Sequence, residues 1–408
     1  MDPLEPDDPD DNRDRFSYDS ITIAVATGQT NLKMNTLVSA ILDVGKHANI
    51  RTWLSKISLS EHDAKDLTAL MPQSTEFTDP QALIQDALTN PDHENQLLSS
   101  LYNRLGALLI NSHTGRRCFF VHIPKSAGSS VLNSLAQCLE PAIFVPFHGN
   151  HGEYFQSIFL NSLRSDNLLC DQVCDSKWNQ IQLLVDSFNI HSDFDFPKII
   201  IPVQHFRLDD VSGMLKAGDI VFSLLRNPRE IIISDLDYIA DMIWIHGPGG
   251  TEWANALGIS PTEVEHLSKV QPEYLSDLIC ETLILPKRYY RSLLLNPEGG
   301  AYATHDLINA IRDTQCYLSD AMHYPQMLSL LLYSEILPFR VNSRKERKSL
   351  FLSSRINLDS IDKFTNQSDI EFYNIIARSG ALSVWENPEY SKHLFWDKIN
   401  QAQSQGNE

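Results

Sequence analysis

Residues 117–135, RCFFVHIPKSAGSSVLNSL, constrain the fold more than any other part of this chain. The apolar and aromatic run from Cys118 to Ile123 is short and ends at Pro124, which is typical of a buried parallel strand. Valine and leucine then recur at three- and four-residue spacing, which predicts a helix. The order of strand, tight loop and helix predicts that residues 124–130 lie at the carboxyl end of a strand and open a helix.

This loop has the groups that suit a phosphate. At the start of a helix, free backbone N–H groups and the positive end of the helix dipole face the same point. A glycine lets the backbone approach a ligand closely, three serines offer hydroxyl donors, and one lysine adds a full charge. The predicted phosphate-binding residues are Lys125, Ser126, Ala127, Gly128, Ser129 and Ser130.

The loop is not a Walker A motif, because GxxxxGK[ST] places a glycine five residues ahead of the Gly-Lys pair, and here Lys125 precedes the only glycine. The sequence PKSAGSS instead resembles the 5′-phosphosulfate loop of sulfotransferases that use 3′-phosphoadenosine 5′-phosphosulfate (PAPS). It is most similar to the carbohydrate-type family that includes the heparan sulfate 2-O- and 6-O-sulfotransferases, whose loop begins with a strand and HIPK. The resemblance implies a three-layer, P-loop-like fold and PAPS as the donor.

A second informative stretch is DIVFSLLRNPREIIISDLDYI at 219–239. Arg226 follows a predicted strand, and its guanidinium fork can hold a phosphate together with a serine hydroxyl. In the suspected family, the 3′-phosphate is bound by an arginine followed by Asp-Pro and by a serine eight positions after the arginine. Arg226 and Ser234 keep that spacing, while Asn227 stands in place of the aspartate. Two phosphate sites at neighbouring strand ends suit a 3′,5′-bisphosphorylated nucleotide.

The acidic residues that follow Arg226 are interpreted differently. Glu230, Asp235 and Asp237 are predicted to form a solvated face of the helix.

Sulfuryl transfer to an alcohol needs a base for the hydroxyl proton, and neutral histidine is the commonest one near pH 7. His205, in IIIPVQHFRLDDV, follows a strand that we expect to neighbour the first one, and family members have a catalytic histidine at a comparable strand end. Gln204 precedes it where the family commonly has glycine. His148 and His151, in PFHGNHGEYF, remain alternatives for the base. Lys125 is predicted to act in catalysis as well as in binding, by stabilising charge on the leaving 5′-phosphate.

The predicted strands, FFVHI, KIIIPV at 198–203 and DIVFSLL at 219–225, alternate with helical patterns, which predicts an α/β domain with a parallel sheet flanked by helices. We expect this sulfotransferase-like α/β domain to span 113–408. Residues 1–15 are acidic and poor in apolar groups, which predicts a disordered tail. Residues 16–112 are predicted to form a mainly helical extension that could mediate a homodimer.

The formal charge of −19 argues against nucleic acid as a partner, since phosphate backbones are bound by clustered lysine and arginine. It also disfavours a highly sulfated acceptor and favours a hydroxyl of a sugar or a small natural product. No apolar run approaches the ~20 residues of a membrane span, and the amino terminus lacks a signal-peptide pattern. We therefore expect no membrane contact and a cytoplasmic location. No metal is expected, because the donor is already activated.

The sequence thus predicts a PAPS-dependent sulfotransferase that acts on a hydroxyl of a carbohydrate or small alcohol. One alternative is an ATP-dependent kinase with an atypical phosphate loop, which would need an acidic strand end to hold Mg²⁺. No predicted strand ends in Asp or Glu. The other alternative is a non-catalytic nucleotide-binding member of the same fold.

Overall fold

The computed structural model describes residues 116–138, 143–144, 199–204, 208–247, 249–284, 304–338, 349–386 and 391–405, together with isolated positions between 86 and 106. The predictions for 1–15 and for most of 16–112 lie outside the described residues. Within the extension, Leu98 and Leu105 are helical and join the same buried core as the residues of the sheet.

The described strands and helices follow in chain order. The strands are β1 Arg117–His122, β2 Ile143–Phe144, β3 Ile199–Gln204, β4 Ile220–Leu224 and β5 Cys316–Ser319. The α-helices are α1 Gly128–Cys138, α2 Leu208–Ser212, α3 Pro228–Trp244, α4 Gly250–Leu257, α5 Pro261–Val270, α6 Pro272–Ile279, α7 Thr304–Asp313, α8 Tyr324–Leu332, α9 Gln367–Ser379 and α10 Ser391–Gln405. A π-helical turn spans Cys280–Ile284, and 3₁₀ turns span Leu352–Arg355, Leu358–Phe364 and Val384–Glu386.

These strands form one sheet in the order β2-β3-β1-β4-β5, and every pairing within it is parallel. The mixed α/β class with a parallel sheet flanked by helices is confirmed. β1, β3 and β4 coincide with the three predicted strands to within two residues. The sequence did not predict β2 and β5, which have only two and four residues.

The centre of the sheet is apolar, as parallel strands covered by helices require. Residues 118–121 of β1 are fully buried, and so is Phe222 of β4. The rings of Phe120 and Phe222 stack across the two strands with their centroids 4.8 Å apart. This packing fixes β1 and β4 side by side, and with them the loops at their carboxyl ends.

Helix α3 begins directly after the β4 loop because Asn227 caps it. The Asn227 side chain accepts a hydrogen bond of 3.0 Å from the backbone N–H of Arg229, and Pro228 occupies the first helical turn. Asparagine and aspartate are both strong N-cap residues, so Asn227 fills the capping role that aspartate could have filled.

The predicted solvated face of α3 is wrong for two of its three residues. Asp235 and Asp237 are buried, and only Glu230 is exposed. Asp237 accepts hydrogen bonds of 2.8 and 2.7 Å from the backbone N–H and the hydroxyl of Ser353. Buried carboxylates are stable only with such partners, and the partner here lies more than a hundred residues away in the sequence.

The edge strand β5 is covered by aromatic side chains from the carboxyl-terminal part of the chain. Tyr317 packs against the rings of Trp385, Phe395 and Trp396 at centroid distances of 5.4 to 6.0 Å. The indole N–H of Trp385 donates a hydrogen bond of 2.9 Å to the carbonyl oxygen of Leu318. These contacts hold β5 against β4. The sheet therefore has one more strand next to the strand that leads into the Arg226 loop.

No helix within the described ranges has both the length and the apolar character that a membrane crossing requires.

Candidate functional site

The candidate site lies at the carboxyl edge of the sheet, where β1 sits between β3 and β4. From β1 the chain continues toward the β2 side of the sheet, and after β3 it crosses to the β4 side. In open parallel sheets, such a reversal leaves a crevice at the carboxyl ends of the central strands, and ligands bind there. The two loops predicted to bind phosphate follow β1 and β4, so the topology brings them to this crevice together.

The loop between β1 and α1 has an unusual backbone. Lys125 and Ala127 adopt left-handed conformations, with φ of 62° and 67°, on either side of Ser126. Such conformations cost non-glycine residues about 1–3 kcal/mol each and are concentrated at functional sites. Successive left- and right-handed residues turn their N–H groups toward one side and create a concave anion-binding backbone. This backbone geometry is compatible with an anion, and phosphate binding at the loop stays a prediction.

Gly128 begins α1 at a point where no side chain fits. A Cβ atom on this residue would lie 1.9 Å from Nε2 of His122, at the end of β1. The imidazole of His122 thus packs directly on the backbone of the loop. The sequence predicted close approach of a ligand at Gly128, and the structure adds a close approach of this ring.

The serines of the loop differ in their surroundings. Ser126 is buried, and its hydroxyl oxygen has no hydrogen-bond partner among the described residues. Ser129 and Ser130 are half-buried in the first turn of α1. A buried hydroxyl without a partner is costly, so a ligand oxygen that accepted a hydrogen bond from Ser126 would remove this penalty.

Arg226, in the loop after β4, contacts the loop after β1. Its Nη1 donates a hydrogen bond of 2.9 Å to the carbonyl oxygen of Lys125, and its Nε donates one of 3.0 Å to Oε2 of Glu230. Ser234, two turns further along α3, is half-buried and makes no side-chain hydrogen bond to a described residue. The structure therefore joins Arg226 to the loop after β1, while no such contact joins Arg226 to Ser234.

The ammonium group of Lys125 faces helix α3. Its Nζ lies 3.8 Å from Oδ1 of Asp235 and 3.1 Å from the centroid of the Tyr238 ring. Asp235 and Tyr238 are three residues apart and so share one face of the helix. Sequence analysis did not assign either residue to the site, although this spacing just after Ser234 was a usable signal.

All three candidate bases, His205, His148 and His151, lie outside the described residues. The strand that precedes His205 is β3, which pairs directly with β1, as the sequence predicted. Gln204 at the end of β3 is the register partner of His122. The residues that follow these two strands therefore start from the same edge of the sheet.

The carboxyl end of β5 adds groups that sequence analysis missed. Asp320 follows the strand directly, and its Oδ1 accepts hydrogen bonds of 2.9 Å from the backbone N–H groups of Met322 and His323. The same oxygen lies 2.8 Å from Nδ1 of His323. Burial raises the pKa of Tyr373, and the nearby charges of Glu230 and Asp320 raise it further. Tyr373 thus lies close enough to interact electrostatically with Glu230, the partner of Arg226, and with Asp320 at the end of β5.

The chain matches no protein-family model, no curated protein and no solved structure.

Proposed function

We propose that this protein is a PAPS-dependent sulfotransferase with a three-layer, P-loop-like α/β domain over residues 113–408. The observation that carries the proposal is the hydrogen bond of 2.9 Å between Nη1 of Arg226 and the carbonyl oxygen of Lys125. It supports the proposal because the loops suspected from the two sequence motifs are in direct contact. A nucleotide with phosphates at both its 3′ and 5′ positions needs two such adjacent anion sites.

The residues of the two loops fit such a donor. Lys125, Ser126, Ala127, Gly128, Ser129 and Ser130 would bind the 5′-phosphosulfate, and Arg226 and Ser234 the 3′-phosphate. The buried Ser126 hydroxyl, which has no partner among the described residues, and the two left-handed residues support this assignment. PAPS, when bound, supplies the activated sulfuryl group.

The chemistry that this chain must provide is positioning, charge stabilisation and proton removal. Lys125 would stabilise the negative charge that grows on the leaving phosphate, where a fixed ammonium acts without reorganisation. His205, His148 or His151 would accept the proton of the acceptor hydroxyl, and the pairing of β3 with β1 favours His205.

Both cations of the proposed site face carboxylates. Lys125 lies near Asp235, and Arg226 pairs with Glu230. Glu230 is 58% exposed, so its ion pair is weak and a phosphate can replace it. Asp235 is only 4% exposed, so water cannot take the place of Lys125 beside its carboxylate as easily as it can take the place of Arg226 beside Glu230. Donor binding therefore involves an exchange of partners at each cation.

The proposed acceptor is a hydroxyl of a sugar or small natural product, because the charge of −19 disfavours a polyanionic acceptor or nucleic acid. The proposed location is the cytoplasm. The extension 16–112 is proposed as the contact in a homodimer.

A kinase is the second candidate, and one observation favours it. None of the three predicted strands ends in an acidic residue, but Asp320 directly follows β5, a strand that the sequence did not predict, at the same edge of the sheet. Its Oδ1 already accepts hydrogen bonds from the backbone N–H groups of Met322 and His323 and contacts the imidazole of His323. β5 is also separated from β1 by β4. Both facts make Asp320 a poor magnesium ligand for a phosphate bound at the β1 loop.

The test is calorimetric titration with 3′-phosphoadenosine 5′-phosphate, the product nucleotide, beside ATP-Mg²⁺. We expect tight binding of the bisphosphate, no comparable binding of ATP-Mg²⁺, and weaker bisphosphate binding by Lys125→Ala and Arg226→Ala. Binding of ATP-Mg²⁺ instead would favour the kinase. Binding that neither substitution changes would remove the two-loop assignment. Bisphosphate binding without sulfuryl transfer to any alcohol in a broad acceptor panel would favour the non-catalytic alternative.

A further inference from the structure

The environment of the Lys125 ammonium is more specific than a generic phosphate loop requires. The side chain is 21% exposed and ends over the face of the Tyr238 ring, 3.1 Å from its centroid. Oδ1 of the buried Asp235 lies 3.8 Å away. A cation is attracted both by a ring face and by a carboxylate, and both attractions strengthen where water is excluded.

The Tyr238 ring also contacts a second aromatic ring. The ring of Trp253, on α4, packs edge-on against it with centroids 5.9 Å apart and an interplanar angle of 69°. Trp253 in turn lies against Gly249, where a Cβ atom would come within 3.3 Å of the indole. The ring that Lys125 contacts is therefore packed against α4.

We infer that Asp235 and Tyr238 form a resting site for the Lys125 ammonium and act as positioning residues for the loop. The resting site holds the charge at the sheet edge in the absence of a ligand, and Asp235 competes with an incoming phosphate for it. The identity of that phosphate, as part of PAPS, rests on the proposed function. The resting site itself does not.

Two opposite effects follow from this arrangement. Asp235→Asn removes the competing charge, so the product bisphosphate should bind about tenfold more tightly, while kcat falls because the ammonium is less well fixed. Tyr238→Leu removes the ring face without removing a charge, so it should lower kcat without tightening binding. A merely structural role for Asp235 would weaken binding and turnover together.

A measurement that needs no nucleotide tests the resting site directly. The full-length protein is acylated briefly with an amine-reactive ester, and the labelling of each lysine is followed by mass spectrometry. We expect Asp235→Asn and Tyr238→Leu to raise labelling of Lys125 several-fold relative to the exposed Lys269. Tyr238→Phe keeps a ring face and should preserve the protection. Glu252→Gln, an exposed charge change on α4, is the matched control and should leave labelling as in the unchanged protein.

The outcomes separate this inference from the proposed function. If labelling of Lys125 rises in both variants but the bisphosphate binds no form of the protein, the resting site stands and the sulfotransferase proposal fails. If the bisphosphate binds the unchanged protein but neither variant alters Lys125 labelling, the resting site is wrong and the proposed function survives. If labelling rises but Asp235→Asn binds the bisphosphate more weakly, the competing role of Asp235 is wrong. Melting curves for each variant check that it is folded.

Discussion

Nη1 of Arg226 donates a hydrogen bond of 2.9 Å to the carbonyl oxygen of Lys125, and so the loop after β4 is tied to the loop after β1. The bonded carbonyl belongs to a residue with a left-handed backbone. Arg226 therefore stabilises the strained backbone of this loop. The proposed function gives its guanidinium a second task, which is to bind a phosphate.

The first prediction separates these two tasks. Arg226→Lys keeps the charge but not the fork, so one ammonium must serve either the Lys125 carbonyl or a phosphate. A hydrogen bond to a charged group contributes about 1.5–3 kcal/mol, and we expect the dissociation constant of the bisphosphate to rise about tenfold to a hundredfold in calorimetry. Glu230→Gln is the control, because it only frees the guanidinium and should not weaken binding. Equal affinity for Arg226→Lys and the unchanged protein would contradict the role of the fork.

The second prediction concerns the close approach of Gly128 and His122. Gly128→Ala places a methyl group where Nε2 of His122 lies, and such overpacking costs about 1–3 kcal/mol of unfolding free energy. We expect urea unfolding to show this loss in Gly128→Ala. In a His122→Ala background, adding Gly128→Ala should cost much less, because the ring that it would clash with is gone. Gly213→Ala is the matched control, since a Cβ there meets nothing within 4 Å. No coupling between positions 122 and 128 would show that the ring moves aside without cost.

The third prediction concerns two buried serines with opposite roles. Ser126 has no hydrogen-bond partner among the described residues, so Ser126→Ala should change the unfolding free energy little but weaken bisphosphate binding about fivefold to tenfold. The hydroxyl of Ser134 lies 3.0 Å from that of Tyr324, away from the loop. Ser134→Ala should lower stability by about 1 kcal/mol and leave binding unchanged. A Ser126→Ala protein that binds the bisphosphate normally would remove Ser126 from the site.

Much of the central sheet could be predicted from the sequence because its signals are local. A continuous apolar run marks a buried parallel strand, and the small residues after it mark the loop. The β4 loop and the start of α3 were recognisable for the same reason, since Arg226, Asn227 and Pro228 form a strand end, a cap and a first turn. The expectation of two adjacent phosphate sites also predicted that β1 and β4 are neighbours, and these two strands pair directly.

The features that could not be predicted depend on partners far away in the chain. Asp237 is an acidic residue on an amphipathic helix, and nothing near it in the sequence shows that Ser353 satisfies it. In the same way, nothing in the sequence near Asp235 shows that it lies beside Lys125. β5 has four residues, too few for a periodic pattern, and is fixed by aromatic side chains such as Trp385 that lie about 70 residues later.

The last prediction concerns the pH dependence of stability. Burial raises the pKa of Cys118 and of Cys316 far above its ordinary value, and burial is also the main cause that raises the pKa of Cys280 to about 12. In the unfolded chain these thiols titrate near pH 8.5. The folded state therefore binds protons that the unfolded state loses, so the stabilisation is fully present below the unfolded pKa and is lost as pH rises through the folded values.

The slope of this loss is about 1.4 kcal/mol per pH unit for each thiol. Urea unfolding between pH 7 and pH 10.5, under reducing conditions, should show the unfolding free energy falling steeply above about pH 9. Cys316→Ala should fall less steeply, by about the contribution of one thiol, even though the small cavity makes it less stable at pH 7. Suppose that the unfolding free energy falls with pH equally steeply in the unchanged protein and in Cys316→Ala. The Cys316 thiolate would then form as readily in the folded state as in the unfolded chain, which would contradict the burial of Cys316 at the amino end of β5.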